Sequence, residues 1–226
     1  MKILFEKYKV LVLFLFAYWC VCLIMLFKSL DFLYVALSWN VLLAVLPLFF
    51  ISQAVTTVGQ KRSSWSILWI ALWLFFFPNS VYLVTDFIHI ANEKFRWMAN
   101  VGPYAPGGGI VYSHDIFIWT KLLVIAMGFF YSIVVGLESV YIFEQFVRKK
   151  YSKKIGYACI FSVGLLTGIG VYIGRFLRFN SWDIVFNPLQ VLQQVAQVDR
   201  FAVQFIIAFS GFVLFCYMLY RSLKEK

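Results

Sequence analysis

The sequence predicts an all-α membrane protein: a bundle of six transmembrane helices with both termini in the cytoplasm. The chain has 226 residues and is 63% hydrophobic but only 13% charged, which leaves too little polar surface for a soluble domain of this size. Its mean hydropathy is +0.85. Six apolar stretches are long enough to cross a bilayer, at about 9–27, 33–52, 64–85, 115–138, 156–177 and 201–220. We expect one transmembrane domain over residues 1–226.

The distribution of basic residues predicts the orientation. Most lysines and arginines lie at the two termini or in the segments after the second and fourth spans, and the positive-inside rule makes this side cytoplasmic. The opposite side is called here the predicted outer side. It holds only Lys28, Lys94, Arg96, Arg175, Arg178 and Arg200. The net charge of +10 therefore indicates topology, and we expect no nucleic-acid partner.

The first span begins like a signal peptide, because lysines precede an apolar run. It lacks a small-x-small cleavage site and is about long enough to span a membrane, so we expect a retained signal-anchor. The four cysteines lie in or beside predicted spans. They match neither a disulfide framework nor a zinc pattern.

Polar residues occur at comparable depths in the second and third spans. Asn40 and Asn79 either line one outward-opening cavity or bond to each other. Pro78 bends or breaks the third helix. If helical geometry resumes after it, polar side chains spaced 3, 4, 3 and 4 residues apart form one stripe, made of Asn79, Tyr82, Asp86, His89 and Glu93.

Two interpretations of this stripe stay open. In the functional one, Asp86 and His89 are a catalytic base and its orienting group, or ligands of a divalent metal ion. In the structural one, Asp86 forms a salt bridge with Arg175 or Arg178, and His89 is an ordinary interfacial residue.

The predicted outer segment 86–114 is expected to be a loop, because it contains Gly102-Pro103 and three consecutive glycines. Asp115, at the start of the fourth span, is either a ligand-binding residue or a helix cap. Lys121 lines a polar cavity or extends towards the outer surface. The fourth helix is expected to continue into the cytoplasm to about Val147.

Small residues predict close packing of the fourth and fifth helices with each other or with their neighbours. In the fifth span they are Gly164, Gly168, Gly170 and Gly174, and in the fourth they are Gly128, Ser132 and Gly136.

The fifth span ends in Gly174-Arg-Phe-Leu-Arg-Phe-Asn-Ser-Trp-Asp183. Arg175 and Arg178 are three residues apart, which predicts that they share one helix face. Guanidinium groups beside lipid usually persist because an anion meets them. Both arginines are therefore candidate anion ligands, with Asn180 and Asp183 next to them.

Residues 187–198 predict a short amphipathic helix on the outer membrane surface. Asn187-Pro188 is a typical helix start. The glutamines that follow share one face at helical spacing, at Gln190, Gln193, Gln194 and Gln197. This helix is either an interfacial anchor or a lid over a site.

The informative polar residues all lie in the predicted outer half, and we expect no comparable set in the inner half. This distribution favours an outward crevice over a path through the membrane. Its members are Asn40, Asn79, Tyr82, Asp86, His89, Asp115, Lys121, Arg175, Arg178, Asn180 and Asp183.

The same elements resemble a known family. They are Trp39-Asn40 with Pro47, Phe77-Pro-Asn-x-x-Tyr-x-x-Thr-Asp-x-x-His89, Asp115 and Gly174-Arg-x-x-Arg-x-Asn-Ser-Trp-Asp183. Over nearly the whole chain after the first helix they are similar to a bacterial integral-membrane family, the domain of unknown function numbered 1361. Phe179 replaces an expected tryptophan and His114 an expected aromatic residue, so His114 belongs to no common site. The resemblance implies a multi-pass protein of the bacterial cytoplasmic membrane, without an established activity.

From these residues we expect recognition, and in a further step processing, of an anionic lipid headgroup or lipid-linked phosphate in the outer leaflet. Arg175 and Arg178 would bind the anion, while Asp115 and Asp183 position the other groups. Membrane lipids are the expected partners. Whether the protein is an enzyme stays open, as do two alternatives: a transporter or exporter subunit with an outward-open site, and a non-catalytic membrane assembly partner.

Overall fold

The computed structural model describes residues 2–59, 63–99, 109–179, 186–195 and 199–225. Its helices are α1 (Lys2–Ser29), α2 (Leu33–Gly59), α3 (Ser63–Tyr82), α4 (Ile116–Lys150), α5 (Lys153–Arg175), α6 (Pro188–Val195) and α7 (Arg200–Lys224). All of these except α6 are long and apolar enough to cross a membrane. The predicted fold class, an all-α protein with six membrane-spanning helices, is confirmed.

The helices run further than the apolar stretches alone indicate. α4 continues to Lys150, as the expected cytoplasmic extension requires.

α1 contains one non-helical residue, Tyr8, with φ −112° and ψ 18°. The hydroxyl of Tyr8 donates to Glu138 of α4 at 3.4 Å, while Lys224 at the end of α7 lies 3.0 Å from the same carboxylate. The two ends of the chain therefore meet at one end of the bundle, and which membrane face this is stays a prediction.

The third helix is not broken at its proline, and a bend there stays a prediction. α3 continues through Pro78 to Tyr82, and a 3-10 helix, Leu83–Ile90, follows directly. The Thr85 hydroxyl donates to the carbonyl of Tyr82 at 2.7 Å, which satisfies one of the acceptors left at the end of α3. The change in helix type comes five residues after the proline, where the chain approaches the predicted outer side.

Large aromatic side chains fill the interior between α3 and α4. Trp73 is 1% exposed and Phe77 is fully buried. The indole of Trp73 stacks on Phe143 with the ring centroids 4.3 Å apart, and its Nε1 donates to the Ser139 hydroxyl at 3.0 Å. This bond satisfies the indole donor, which has no water to turn to inside the bundle.

The predicted glycine faces of α5 contact two different helices. A Cβ built on Gly168 would lie 2.6 Å from the backbone carbonyl oxygen of Ile206 in α7, and one built on Gly170 would lie 2.6 Å from Pro78 of α3. Only a residue without a side chain allows backbones this close. α5 is thus held between α3 and α7.

The glycines of α4 serve other neighbours. At Gly128 an added Cβ would meet the hydroxyl of Tyr18 in α1, and at Gly136 it would meet Ser80 in α3, each at 2.5 Å. The expectation of close packing at these faces is confirmed.

The segment expected to be a loop contains regular structure. β1 (Arg96–Met98) pairs antiparallel with β2 (Ile110–Tyr112), with Trp97 opposite Val111. The Gly102-Pro103 motif and the first two of the three glycines lie outside the described residues. α6 begins at Pro188 as predicted, and both Gln193 and Gln194 are exposed. Gln197 lies outside the described residues, and the position of α6 on a membrane surface stays a prediction.

The contact at Gly168 is testable by adding one methyl group. Gly168→Ala should lower the free energy of unfolding in detergent micelles by about 1–3 kcal/mol, because overpacking forces the α5 and α7 backbones apart. Gly211→Ala is the matched control, since nothing lies within 4 Å of a Cβ at that helical position. It should be neutral or stabilise by up to about 1 kcal/mol. Equal effects of the two substitutions would contradict the packing described here.

Candidate functional site

Asp86 is the buried centre of the candidate site. It lies in the 3-10 helix, one turn beyond the end of α3, and is 3% exposed. A carboxylate this deep in an apolar bundle needs hydrogen-bond donors or a counter-charge from neighbouring helices.

Two other helices provide these partners. The Asn40 Nδ2 of α2 donates to Asp86 Oδ2 at 3.1 Å. The Arg175 Nη1 of α5 lies 3.9 Å from Asp86 Oδ1 and donates to the Tyr82 hydroxyl at 3.5 Å. The amide therefore makes the close contact, while the guanidinium is held loosely between a carboxylate and a phenol. We call Asn40, Tyr82, Asp86 and Arg175 the outer cluster.

Two glycines bring Arg175 to this place. Gly170 packs on Pro78, and a Cβ on Gly174 would lie 3.3 Å from the ring of Tyr82. Because these glycines occupy successive turns of α5, the helix lies against α3 up to its last residue. Arg175 is that last residue, so its side chain leaves the helix beside Tyr82 and Asp86.

Arg178 does not share a helix face with Arg175, and that expectation is wrong. α5 ends at Arg175, and the backbone at Arg178 has φ 59°, a left-handed conformation that is uncommon for a residue with a side chain. Arg178 is exposed. No acidic residue in the described part of the chain forms an ion pair with it.

The remaining members of the predicted stripe differ in burial and in their hydrogen-bond partners. His89 is exposed although Asp86 is buried. Asn79 donates to the carbonyl of Phe76 at 3.0 Å, within α3, whereas Asn40 is bonded to Asp86. The contacts of Asp86 agree with its salt-bridge interpretation. His89 lies three residues further along the same 3-10 helix, where positions i and i+3 share a face, so its exposure fits either interpretation.

Glu93 pairs with a lysine of the fourth helix. Its carboxylate is 2.8 Å from the Lys121 ammonium, which lies 3.8 Å from Asp31 as well. The lysine of the fourth helix thus extends towards two acids at the predicted outer side. A helix with three residues per turn follows α3, so spacings of 3 and 4 no longer keep one face.

Asp115 caps α4. Its side chain accepts a hydrogen bond from the backbone N–H of Phe117 at 2.9 Å, and it is exposed. This agrees with the capping interpretation and places Asp115 in no described contact with Asp86. The candidate residues Asn180 and Asp183 lie outside the described residues.

A divalent metal ion at Asp86 and His89 would need further ligands. Within the described ranges, no group of three or more His, Cys, Asp and Glu residues is arranged to hold a metal ion. The two candidate ligands therefore have no third protein ligand of these types in that part of the chain.

The opposite end of the bundle holds a second set of buried charges, which sequence reasoning missed. Glu144 of α4 is fully buried. It accepts a short hydrogen bond from the Tyr217 hydroxyl and lies 3.4 Å from Arg221 and 3.5 Å from Arg148. The expectation that the inner half has no comparable set is wrong.

The charges around Glu144 balance. Just beyond α7, Glu225 lies 3.0 Å from Arg148 and 3.1 Å from Arg221, so two carboxylates share two guanidinium groups. The hydrogen bonds from Arg148 and then from Arg221 hold the pKa of Glu225 below its ordinary value. We call Arg148, Tyr217, Arg221, Glu144 and Glu225 the inner cluster.

Glu138 forms a separate pair beside it. Its carboxylate accepts from the Tyr220 hydroxyl at 2.7 Å and lies 3.0 Å from the Lys224 ammonium. The sequence carries a signal for the α7 partners of Glu144 and Glu138. Spacings of 4 and 3 residues put three of these partners on one helical face, namely Tyr217, Arg221 and Lys224.

Comparison with known proteins identifies a family. The family model described as a protein of unknown function, DUF1361, matches residues 39–217. No curated protein matches the chain, and no solved structure matches it.

The difference between the two outer aspartates gives a prediction. Asp86→Ala should lower the free energy of unfolding by about 2–3 kcal/mol, below the range of about 3–5 for fully buried pairs, because Arg175 is 21% exposed. Asp115→Ala, which removes an exposed cap, should cost about 1 kcal/mol. Denaturation in mixed micelles measures both. A smaller loss for Asp86 than for Asp115 would refute the burial argument.

The two tyrosine–carboxylate bonds at the inner end give a second matched pair. Tyr217→Phe removes the donor to a fully buried carboxylate and should cost about 1.5–3 kcal/mol. Tyr220→Phe should cost less, because the Glu138 side chain is 11% exposed and water can replace part of the lost bond, whereas the Glu144 side chain is fully buried. Thermal unfolding of the two variants in one detergent measures both losses of stability. A larger loss for Tyr220→Phe than for Tyr217→Phe would contradict the difference in burial on which the prediction rests.

Proposed function

The chain belongs to the DUF1361 family of unknown function, and we propose, from its own geometry, that it binds an anionic lipid headgroup or lipid-linked phosphate at its predicted outer side. Arg175 and Arg178 supply the positive charge. Asn40, Tyr82 and Asp86 hold Arg175 in position.

One observation carries this proposal: among the described residues, a single buried carboxylate, that of Asp86, is available to balance the charges of two arginines. Asp86 neutralises one guanidinium at most, and it does so at 3.9 Å. Arg178 is exposed and has no acidic partner in the described ranges. An excess positive charge therefore stands at the end of α5, where guanidinium groups can bind phosphate oxygens in pairs.

The outer cluster also supports binding because its contacts to Arg175 are few and long. The guanidinium reaches the Tyr82 hydroxyl at 3.5 Å and Asp86 at 3.9 Å, and 21% of the side chain stays accessible. A guanidinium has five N–H donors, so several can turn to an arriving anion. Because α5 ends at this point, the anion would lie at the depth of lipid headgroups and not within the hydrocarbon.

Processing of the headgroup is the second step of the proposal. Asp86 and His89 are the candidates for a base and its orienting residue, and a divalent ion is the candidate cofactor. Asp86 directs its carboxylate to Asn40 and Arg175, whereas His89 is exposed. Recognition is therefore better supported than turnover, and the His89 imidazole is the group nearer to a substrate arriving from the surface.

The proposal is tested by native mass spectrometry of the full chain in detergent. A polyprenyl phosphate and the corresponding uncharged polyprenol are the two probes. We expect the phosphate to bind at least tenfold more tightly than the alcohol. Arg178→Gln should weaken phosphate binding about five- to tenfold, equivalent to about 1 kcal/mol for one interfacial cation.

Arg200→Gln is the matched control, since Arg200 is an exposed arginine that also lies on the predicted outer side. It should change phosphate binding by less than about twofold. Equal binding of phosphate and alcohol, or equal losses in the two variants, would overturn the proposal. Turnover is tested separately, by incubating the probe with wild type and His89→Ala and measuring phosphate release.

A transporter subunit is the second candidate, because buried carboxylates occur in both halves of the bundle. Asp86 at one end and Glu138 and Glu144 at the other are the ionisable groups that such a path would use. If this function is correct, Asn40→Cys in a cysteine-free background should react with a membrane-impermeant thiol reagent from the predicted cytoplasmic side. Reaction from the outer side only would exclude it.

The assembly-partner alternative makes a different prediction. If Asp86 and Arg175 only neutralise each other, exchanging them as Asp86→Arg with Arg175→Asp should restore folding and anion binding alike. Restored folding with lost phosphate binding would show that the orientation of the charges matters, and would rule out a purely structural role.

A further inference from the structure

A second binding site is indicated at the opposite end of the bundle. A cavity of about 750 Å³ lies between the end of α2, the last turns of α4 and the end of α7. This volume is within the range of ligand sites in proteins. Its lining combines two chemical classes, with the apolar side chains of Val55, Val58, Ile142 and Phe146 on one part and lysines on another.

The lysines leave the cavity positively charged. Glu138 also lines it, but its carboxylate lies 3.0 Å from Lys224. Lys149 and Lys150 form no ion pair with a described residue and are exposed. Two positive charges are thus unbalanced at one rim of the cavity.

Lys150 is oriented by aromatic rings. Its ammonium lies 5.9 Å from the ring centroid of Phe146 and 5.4 Å from that of Tyr151. Cation–π contacts of this kind hold the side chain without using its N–H donors. Those donors remain free to bind an anion at the cavity mouth.

We propose that this cavity binds one anionic phospholipid. The headgroup phosphate contacts Lys149 and Lys150, and one acyl chain lies along Val55, Val58, Ile142 and Phe146. Basic pockets between transmembrane helices recognise acidic headgroups in this way. A free phosphate would use the lysines alone, whereas the apolar walls provide burial that only a lipid chain exploits.

The C-terminal end of α4 does not itself attract an anion. Lys149 and Lys150 occupy the last turn of α4, where the backbone carbonyls and the helix dipole repel negative charge. The attraction must therefore come from the lysine side chains, so removing their charge should remove the preference for acidic lipids. Gln145, which also lines the cavity, adds an amide that can bond to a phosphate or glycerol oxygen.

The experiment uses the full chain with Arg178→Gln, so that an anion binds more weakly at the predicted outer side and contributes less to the titration. Native mass spectrometry in detergent follows titration with phosphatidylglycerol or with phosphatidylcholine of the same chain length. We expect phosphatidylglycerol to bind about tenfold more tightly. Lys149→Gln with Lys150→Gln should abolish most of this difference, since each interfacial lysine contributes about a fivefold change.

The matched control is Lys153→Gln with Lys154→Gln. These lysines begin α5 on the same side of the bundle and are exposed, and they do not line the cavity. The control removes the same charge and should change the preference by less than about twofold. Equal losses in the two double variants would mean diffuse surface attraction and overturn the proposal.

Two further outcomes would also overturn it. One is equal affinity of the starting protein for the two lipids. The other is full competition by inorganic phosphate at concentrations near those of the lipid, which would identify a site for a soluble anion. Because this cavity and the Arg175–Arg178 region lie at opposite ends of the bundle, either proposal can fail while the other holds.

Discussion

Acidic side chains buried in an apolar bundle constrain this structure more than any other feature. A carboxylate buried between helices has no water to bond, so protein groups must take over that role. Asp86, Glu138 and Glu144 each meet donors that come from other helices. These donors come into reach only when the bundle is assembled. The three carboxylates are therefore satisfied in this arrangement of the helices, and they disfavour arrangements that leave a carboxylate without its donors.

The two ends of the bundle, named here by their predicted outer and inner sides, meet this constraint differently. At the inner end, Glu144 is surrounded by two guanidinium groups and a phenol, and Glu225 balances the extra charge. At the outer end, Asp86 receives one amide and one distant guanidinium. The inner arrangement is closed and neutral, which suits a structural lock. The outer one is open on the side of Arg175, which suits a site that a ligand completes.

Much of the fold could be predicted because it follows from apolar length and small-residue spacing. The six spans, the cap at Asp115 and the close approach at the α5 glycines are all local signals. The 3-10 helix after Tyr82 was not predictable, because helical spacing alone does not distinguish 3.0 from 3.6 residues per turn over eight residues. The strands β1 and β2, at three residues each, are too short to show an alternation.

The candidate site was predicted in part. The sequence identified Asp86, Asn40 and Arg175 as members of one polar set in the predicted outer half, and the structure joins them. It did not indicate where α5 ends, so Arg178 was expected on the same helix face as Arg175, although it lies beyond the helix. The inner cluster was missed because Glu138 is the last residue of the fourth apolar stretch and Glu144 lies in its expected cytoplasmic extension, where water can solvate an acid without a protein partner. Tyrosines and arginines of α7 in register with them were the signal that could have revealed it.

The contact of α5 with α3 has a consequence for how this protein can change in length. Gly170 and Gly174 face Pro78 and Tyr82 on successive turns, and Arg175 follows at once. One residue inserted between Gly170 and Arg175 would rotate everything after it by about 100° and advance it by about 1.5 Å. Arg175 would then face away from Asp86. Descendants of this chain that keep the Arg175–Asp86 contact must therefore keep the number of residues in the last turns of α5.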